Sequence, residues 1–228
     1  MAIADRIEVV CYLHSLLSNY QMKIISLLTR KGGSGKSTLA SHWAVEAERK
    51  RGNKSVIIDF DPQGSCSSWY NKREAETPLL IQSNPDLIKD HLEACANDDI
   101  HYVFIDTVPD INKVAVHAAR VSDLVIIPVR PSVLDMEAIN ASVELVQGLG
   151  KEAVIVLNQA PSGSTVAKEA AIALQQYELT ICPTYIVNRI AFSRSMITGQ
   201  TAREVDKRGK AAKEVTDSWK WIRKQLGE

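Results

Sequence analysis

The sequence predicts a single α/β domain, with a mainly parallel, twisted sheet covered by helices on both faces. Three observations support this. Short apolar runs alternate with helical patterns, the arrangement of repeated βαβ units. Several of these runs are continuously apolar, as strands buried on both faces must be. At 228 residues, 45% hydrophobic and 24% charged, the chain has material for one sizeable core and no composition that argues for disorder.

Taken in order, the predicted strands are 23–28, 55–59, 79–82, 102–106, 124–129, 153–158 and a shorter one near 184–187. Each is a brief β-prone run. Between them, 3.6-residue periodicity predicts helices over 36–51, 86–96, 115–121, 135–149, 165–177 and 210–226. No repeat, low-complexity stretch or Pro/Gly linker divides the chain, so residues 22–228 are expected to form one domain. Residues 1–21 stand apart. Ile7, Val10, Cys11, His14 and Leu17 fall at helical spacing, while Met22 directly before the first strand reads as an equally natural start. A short helix and a plain leader both fit.

Charge is balanced overall, 27 basic against 27 acidic residues, but not along the chain. From Arg189 to Lys224 ten basic residues face four acidic ones, an excess suited to a polyanion. Cys11, Cys66, Cys95 and Cys182 are scattered without a CxxC pair, which fits buried thiols better than a disulfide framework or zinc site. No apolar run approaches the ~20 residues that span a bilayer. The expected location is cytoplasmic.

The chemistry concentrates where strands end. Lys31-Gly32-Gly33-Ser34-Gly35-Lys36-Ser37-Thr38 links the first predicted strand to the first helix. Glycines there let backbone N–H groups approach phosphate oxygens, and the helix start adds its positive dipole end. Lys36 is expected to reach the β- and γ-phosphates of a nucleotide and Ser37 to ligate Mg2+. Two further strands end in acids at the same edge of such a sheet. Asp59 and Asp61 close one, within Asp59-Phe60-Asp61-Pro62-Gln63, and Asp106 closes the other. Carboxylates in these places suit a metal and an attacking water.

The loop matches KGGxGK[ST] at every position, the deviant Walker A signature of the ParA/MinD family of P-loop ATPases. From about residue 22 to 226 the chain resembles the small ParA-type partition ATPases. That resemblance implies ATP and Mg2+ as cofactors, with Gly32, Gly33, Ser34, Gly35, Lys36, Ser37 and Thr38 around the phosphates. It makes Lys31 a residue that crosses a sandwich dimer to the partner's ATP, Asp61 the residue that orients water, and Asp59 and Asp106 the Mg2+ carboxylates. It also places Asn158, at the end of the sixth strand, beside adenine. The stretch Val129-Arg130-Pro131-Ser132 reads as scaffold.

By the same resemblance, an ATP-bound homodimer binds DNA without sequence preference, and a centromere-binding or adaptor protein stimulates hydrolysis and releases it. Arg189, Arg194, Lys207, Arg208, Lys210 and Lys213 are the candidate DNA contacts. A second reading is a MinD-like membrane-associated ATPase, because Val215, Trp219, Ile222 and Leu226 form a helical stripe that could lie on a lipid surface. The residues before the first strand are too few for an operator-reading helix-turn-helix domain, so sequence-specific recognition of that kind is not expected.

Overall fold

The computed structural model describes residues 22–228 except 111, 112 and 164. The amphipathic pattern read within residues 1–21 lies outside the described residues. Seven strands form one parallel sheet: β1 (Lys23–Leu27), β2 (Ser55–Asp59), β3 (Leu79–Gln82), β4 (Tyr102–Asp106), β5 (Leu124–Val129), β6 (Ala153–Leu157) and β7 (Thr180–Ile181). Their spatial order is β3-β2-β4-β1-β5-β6-β7. β1 therefore lies centrally, and the chain order reverses direction around it. Every strand points the same way, so the loops after β1, β2, β4, β5 and β6 emerge along one edge, where ligands of open α/β sheets gather.

The helices are α1 (Lys36–Ala47), α2 (Ser65–Tyr70), α3 (Ile88–Asn97), α4 (Lys113–Val121), α5 (Val133–Ala138), α6 (Asn140–Gly148), α7 (Val166–Leu174), α8 (Ile190–Ile197), α9 (Ala202–Val205) and α10 (Lys210–Gln225). The first six strands follow the sequence reading to within one residue. The seventh does not. β7 stops before Pro183, whose missing N–H cannot extend a ladder, and the predicted 184–187 segment contributes only a bridge between Val187 and Ala160. The 135–149 helix divides at Ile139, and α2, α8 and α9 had no clear periodic pattern to announce them.

Two apolar layers sandwich the sheet. On one side Ile24, Val103, Val125 and Ile155 meet Leu92, Ala118, Val146 and Leu174. On the other, Ile25, Phe104 and Val156 meet Trp43 of α1 and Trp219 and Ile222 of α10. The stripe proposed from sequence as a lipid-binding face is thus core. Val215, Trp219, Ile222 and Leu226 are all buried, and Trp219 packs edge-on against Tyr102 at 5.0 Å. This corrects the membrane-anchor alternative: apolar area already removed from water cannot be offered to a bilayer. Among the described residues no helix is long and apolar enough to cross a membrane. Cys66, Cys95 and Cys182 are buried free thiols.

Polar bonds fasten α1 to the C-terminal elements. The Trp43 indole donates to Ser218 Oγ at 3.0 Å. The preceding residue, His42, is buried between segments far apart in sequence. Its Nδ1 bonds the Thr38 carbonyl at 2.7 Å, and its Nε2 accepts the Ala202 N–H at 3.0 Å. An accepting Nε2 fixes the tautomer with hydrogen on Nδ1. Burial, with the Arg73 charge nearby, lowers the His42 pKa to about 4 against the pull of the Thr38 carbonyl and Glu204.

A base whose folded pKa is depressed stabilises the fold above its unfolded value. That contribution is lost as pH falls from about 6.5 to about 4, on the order of 3 kcal/mol in total. Urea unfolding at pH 7 and pH 4.5 should therefore show a larger acid loss for the wild type than for His42→Gln. Parallel losses in the two proteins would remove His42 as the cause.

Candidate functional site

The loop after β1 becomes a phosphate cradle because its backbone turns where only glycine turns easily. Gly33 and Gly35 have φ of 72° and 93°, in the left-handed region. Gly35 caps α1, and a β-carbon there would fall 2.1 Å from the Asn158 amide nitrogen. That amide donates to the Ser34 carbonyl at 2.6 Å, and Gln159 Nε2 donates to the Gly33 carbonyl at 2.8 Å. The two residues after β6 thus hold the loop's carbonyls back, which leaves its N–H groups for an anion.

The loop opens onto a cavity of about 700 Å³. Residues 32–38, Asp61, Gln63 and Lys72 line it, together with Ser193, Met196 and Ile197 of α8. A second cavity of about 260 Å³ adjoins it at Gly35 and Thr38, walled by Asn158, Ile186, Val187, Asn188 and Phe192. Together they provide a polar compartment and a more apolar one, as a nucleotide's phosphates and base require. Asn158 stands on the wall of the second compartment, with its amide engaged by the loop.

The charges are mostly buried. Lys36 is 6% exposed, and burial lowers its pKa against the pull of Asp106 and Asp61. Asp59 and Asp106 are register partners on β2 and β4, so their carboxylates stand side by side. Burial raises the Asp106 pKa to about 6, and the Asp59 charge adds to this, while the Ser37 hydroxyl, Cys66 and Lys36 oppose it. Asp106 Oδ2 accepts from Cys66 Sγ at 3.2 Å; Oδ1 is buried without a hydrogen-bond partner among the described residues.

Asp59 has a different environment. Its Oδ1 accepts the Asp61 N–H at 3.0 Å, and its Oδ2 accepts from the Ser67 N–H and hydroxyl at 3.1 and 2.9 Å. Burial raises its pKa, and the Asp61 charge adds to this, while the bonds from Asp61 and Ser67 pull it down. Asp59 therefore braces the loop that carries Asp61 and the start of α2. Asp61 itself lines the cavity, with Oδ1 accepting the Gln63 N–H at 2.9 Å.

Mg2+ is a hard cation that takes oxygen ligands and commonly keeps water and phosphate among them. The Asp106 carboxylate, with one oxygen unpartnered and the Ser37 hydroxyl acting on it, fits such an ion. Among the described residues no three His, Cys, Asp or Glu side chains converge as a metal cage, and an ion shared with phosphates needs none.

The sequence-predicted DNA contacts divide. Arg194, Lys207, Arg208 and Lys210 are exposed, as is Lys213, which pairs with Asp217 at 2.7 Å. Arg189 is the exception: its guanidinium is bound to Glu214, with Nε and Nη2 both on Oε1 at 2.9 and 2.6 Å. A charge already held by a carboxylate is less available to a polyanion than the exposed cations are.

Two residues at the loop escaped the sequence reading. Gln159 is one, and no spacing or motif announced it. The other is Arg130, read as scaffold. Its Nη1 lies 3.8 Å from where a Gly33 β-carbon would stand, and its Nη2 bonds Asp135 at 2.8 Å. The Ser132-to-Asp135 spacing, a serine three residues ahead of an acid, was the available clue.

The raised Asp106 pKa means the ionised carboxylate opposes folding above about pH 6 while no cation is bound, and the opposition is relieved as pH falls toward 3.8. Asp106→Asn should therefore stabilise the nucleotide-free protein by roughly 1–3 kcal/mol at pH 7, with little difference at pH 4. Thermal melts at both pH values test this, and a destabilised mutant at pH 7 would contradict it.

Residues 25–202 match the family model described as the CobQ/CobB/MinD/ParA nucleotide binding domain. The chain is similar to the Maintenance of carboxysome distribution protein A of Halothiobacillus neapolitanus, at 23% identity over 198 residues, covering 82% of this chain and 90% of that protein. It is similar to the Chromosome partitioning protein ParA of Caulobacter vibrioides at 25% over 177 residues, covering 58% and 66%. In fold it resembles the ATP complex of Cyanothece McdA, with a TM-score of 0.74 at 16% identity over 91% of this chain and 97% of that one. MinD of Aquifex aeolicus, in its complex with MinC, gives 0.72 at 16% identity over 90% and 96%.

Proposed function

Because this chain belongs to the CobQ/CobB/MinD/ParA nucleotide-binding family and is a ParA/MinD-type ATPase, we propose that it is a cargo-positioning switch. Its ATP-bound form is a sandwich dimer that holds DNA without sequence preference, and partner-stimulated hydrolysis releases it. One observation carries this reading: α8, which opens the basic C-terminal segment, helps line the phosphate cavity. Nucleotide state and the proposed DNA-binding surface thus share an element. Relatives named for chromosome partitioning and carboxysome distribution suggest a large cargo, nucleic acid or protein-built.

In this proposal Lys36 and the N–H groups of residues 32–38 hold the phosphates, with Asn158 beside the base. Asp106 and Ser37 hold Mg2+, with Asp59 serving it through its water shell while also bracing the Asp61 loop. Asp61 orients the attacking water. Lys31 reaches the nucleotide of the second copy, where its charge offsets that of the transferring phosphoryl group. Arg194, Lys207, Arg208, Lys210 and Lys213 contact DNA phosphates.

The test uses Asp61→Ala, expected to form the ATP dimer yet hydrolyse slowly. In sedimentation with random-sequence DNA or anionic liposomes, it should associate with DNA in ATP–Mg2+ and not in ADP. The association should weaken steeply with salt, as phosphate contacts do. Equal binding in ADP, or binding to liposomes instead of DNA, would reject the reading. Lys36→Ala should lose productive ATP binding, and normal ATP affinity in that variant would reject the phosphate assignment.

A further inference from the structure

One buried carboxylate, that of Asp135, is bonded by Arg130 and also lies within the electrostatic influence of Lys31. Asp135 is 6% exposed and sits in the first turn of α5, where Ser132 caps the helix and also bonds its carboxylate. Arg130, at the tip of β5, presents Nη2 to Asp135 Oδ1 at 2.8 Å. Its Nε is buried without a hydrogen-bond partner among the described residues. Lys31, two residues before Gly33, is half-buried and makes no ion pair among the described residues.

We propose that Arg130 is a positioning residue that holds the Asp135 carboxylate and so leaves the Lys31 ammonium free for the nucleotide of a second copy of this chain. The inference rests on the reading of Lys31 given above. A buried carboxylate draws whatever cation is in reach, because leaving it unpaired in a poorly solvated place is unfavourable. Burial alone would push the Asp135 pKa up, yet the bonds from Arg130 and Ser132 hold it below the ordinary value, and the Lys31 charge also acts on it. The carboxylate is therefore ionised and already feels Lys31.

Arg130 is suited to winning this competition. Its planar, permanently charged fork gives directed hydrogen bonds that a lysine ammonium on a flexible stem does not. Without it, Asp135 becomes an internal substitute for the phosphate that Lys31 should meet, and the lysine is captured within its own subunit.

Four proteins test this: Lys31→Ala, Arg130→Gln, Arg130→Lys, and the double variant Arg130→Gln/Asp135→Asn. Each is measured for ATP affinity as a monomer, for ATP-dependent dimerisation by ultracentrifugation, and for turnover. Arg130→Gln should weaken dimerisation and turnover roughly tenfold, the scale of one lost charge-assisted contact, with monomer affinity unchanged. Removing the competing carboxylate in the double variant should restore both, a rescue that a purely structural role for Arg130 does not predict. Should Arg130→Gln fail to fold, Arg130→Lys still decides. It keeps a cation in reach of Asp135, though without the directed fork, and should lose less dimerisation than Lys31→Ala, while a loss as deep would overturn the inference.

Wild-type behaviour of Arg130→Gln beside a defective Lys31→Ala would overturn this inference alone. A defect that the double variant does not rescue would overturn it too. If Lys31→Ala itself dimerises and hydrolyses normally, the reading of Lys31 fails first.

Discussion

The Asn158 amide reaches the Ser34 carbonyl at 2.6 Å, over a Gly35 that has no room for a β-carbon. That contact, with Gln159 on the Gly33 carbonyl, sets the phosphate loop's orientation. It ties the end of β6 to the loop after β1, across the intervening β5. Glycine supplies the permitted backbone conformation, but the amides select it. The position of Lys36 under the loop, the start of α1 and the direction of the free N–H groups all follow from that choice.

What gathers around the loop is charge in a poorly solvated place. Asp59 and Asp106 stand side by side because parallel register puts the ends of β2 and β4 level. They are not equivalent, however. Asp59 is satisfied by the backbone and hydroxyl it braces, while Asp106 keeps an oxygen without a partner. One carboxylate thus stiffens a loop, and the other keeps an oxygen free for a ligand. An unpaired buried oxygen detracts from the stability of the nucleotide-free protein, a trade common at sites built for chemistry.

Much of this was legible in the sequence. Strands such as 55–59 and 102–106 are continuous apolar runs ending in aspartate, and their boundaries agree with the structure because a central parallel strand leaves little freedom in where it starts or stops. The phosphate loop was legible because its glycine spacing is a backbone requirement. Short helices were not. Ser65–Tyr70 begins straight after a turn and carries three serines, which favour turns and caps over helix interiors. Thr201 and Glu204 did spell a capping box, but four residues are too few to show a period. Side-chain pairing was illegible altogether: nothing local in Arg189 says that Glu214 binds it, and nothing in Arg130 says that it faces Gly33.

The fastening of α1 to the C-terminal elements has a consequence in time. His42 meets Ala202 across 160 positions of sequence, and Trp43 meets Ser218 across 175. α1 is made early, yet the surfaces that cover Trp43 and complete the hydrogen bonds of His42 belong to elements made late. Contacts so distant along the chain form only after a large loop has closed. On the ribosome, the phosphate loop's own helix must therefore wait with an uncovered apolar face until α10 emerges. The packing of the helix that the phosphate loop opens is tied in this way to the arrival of α10.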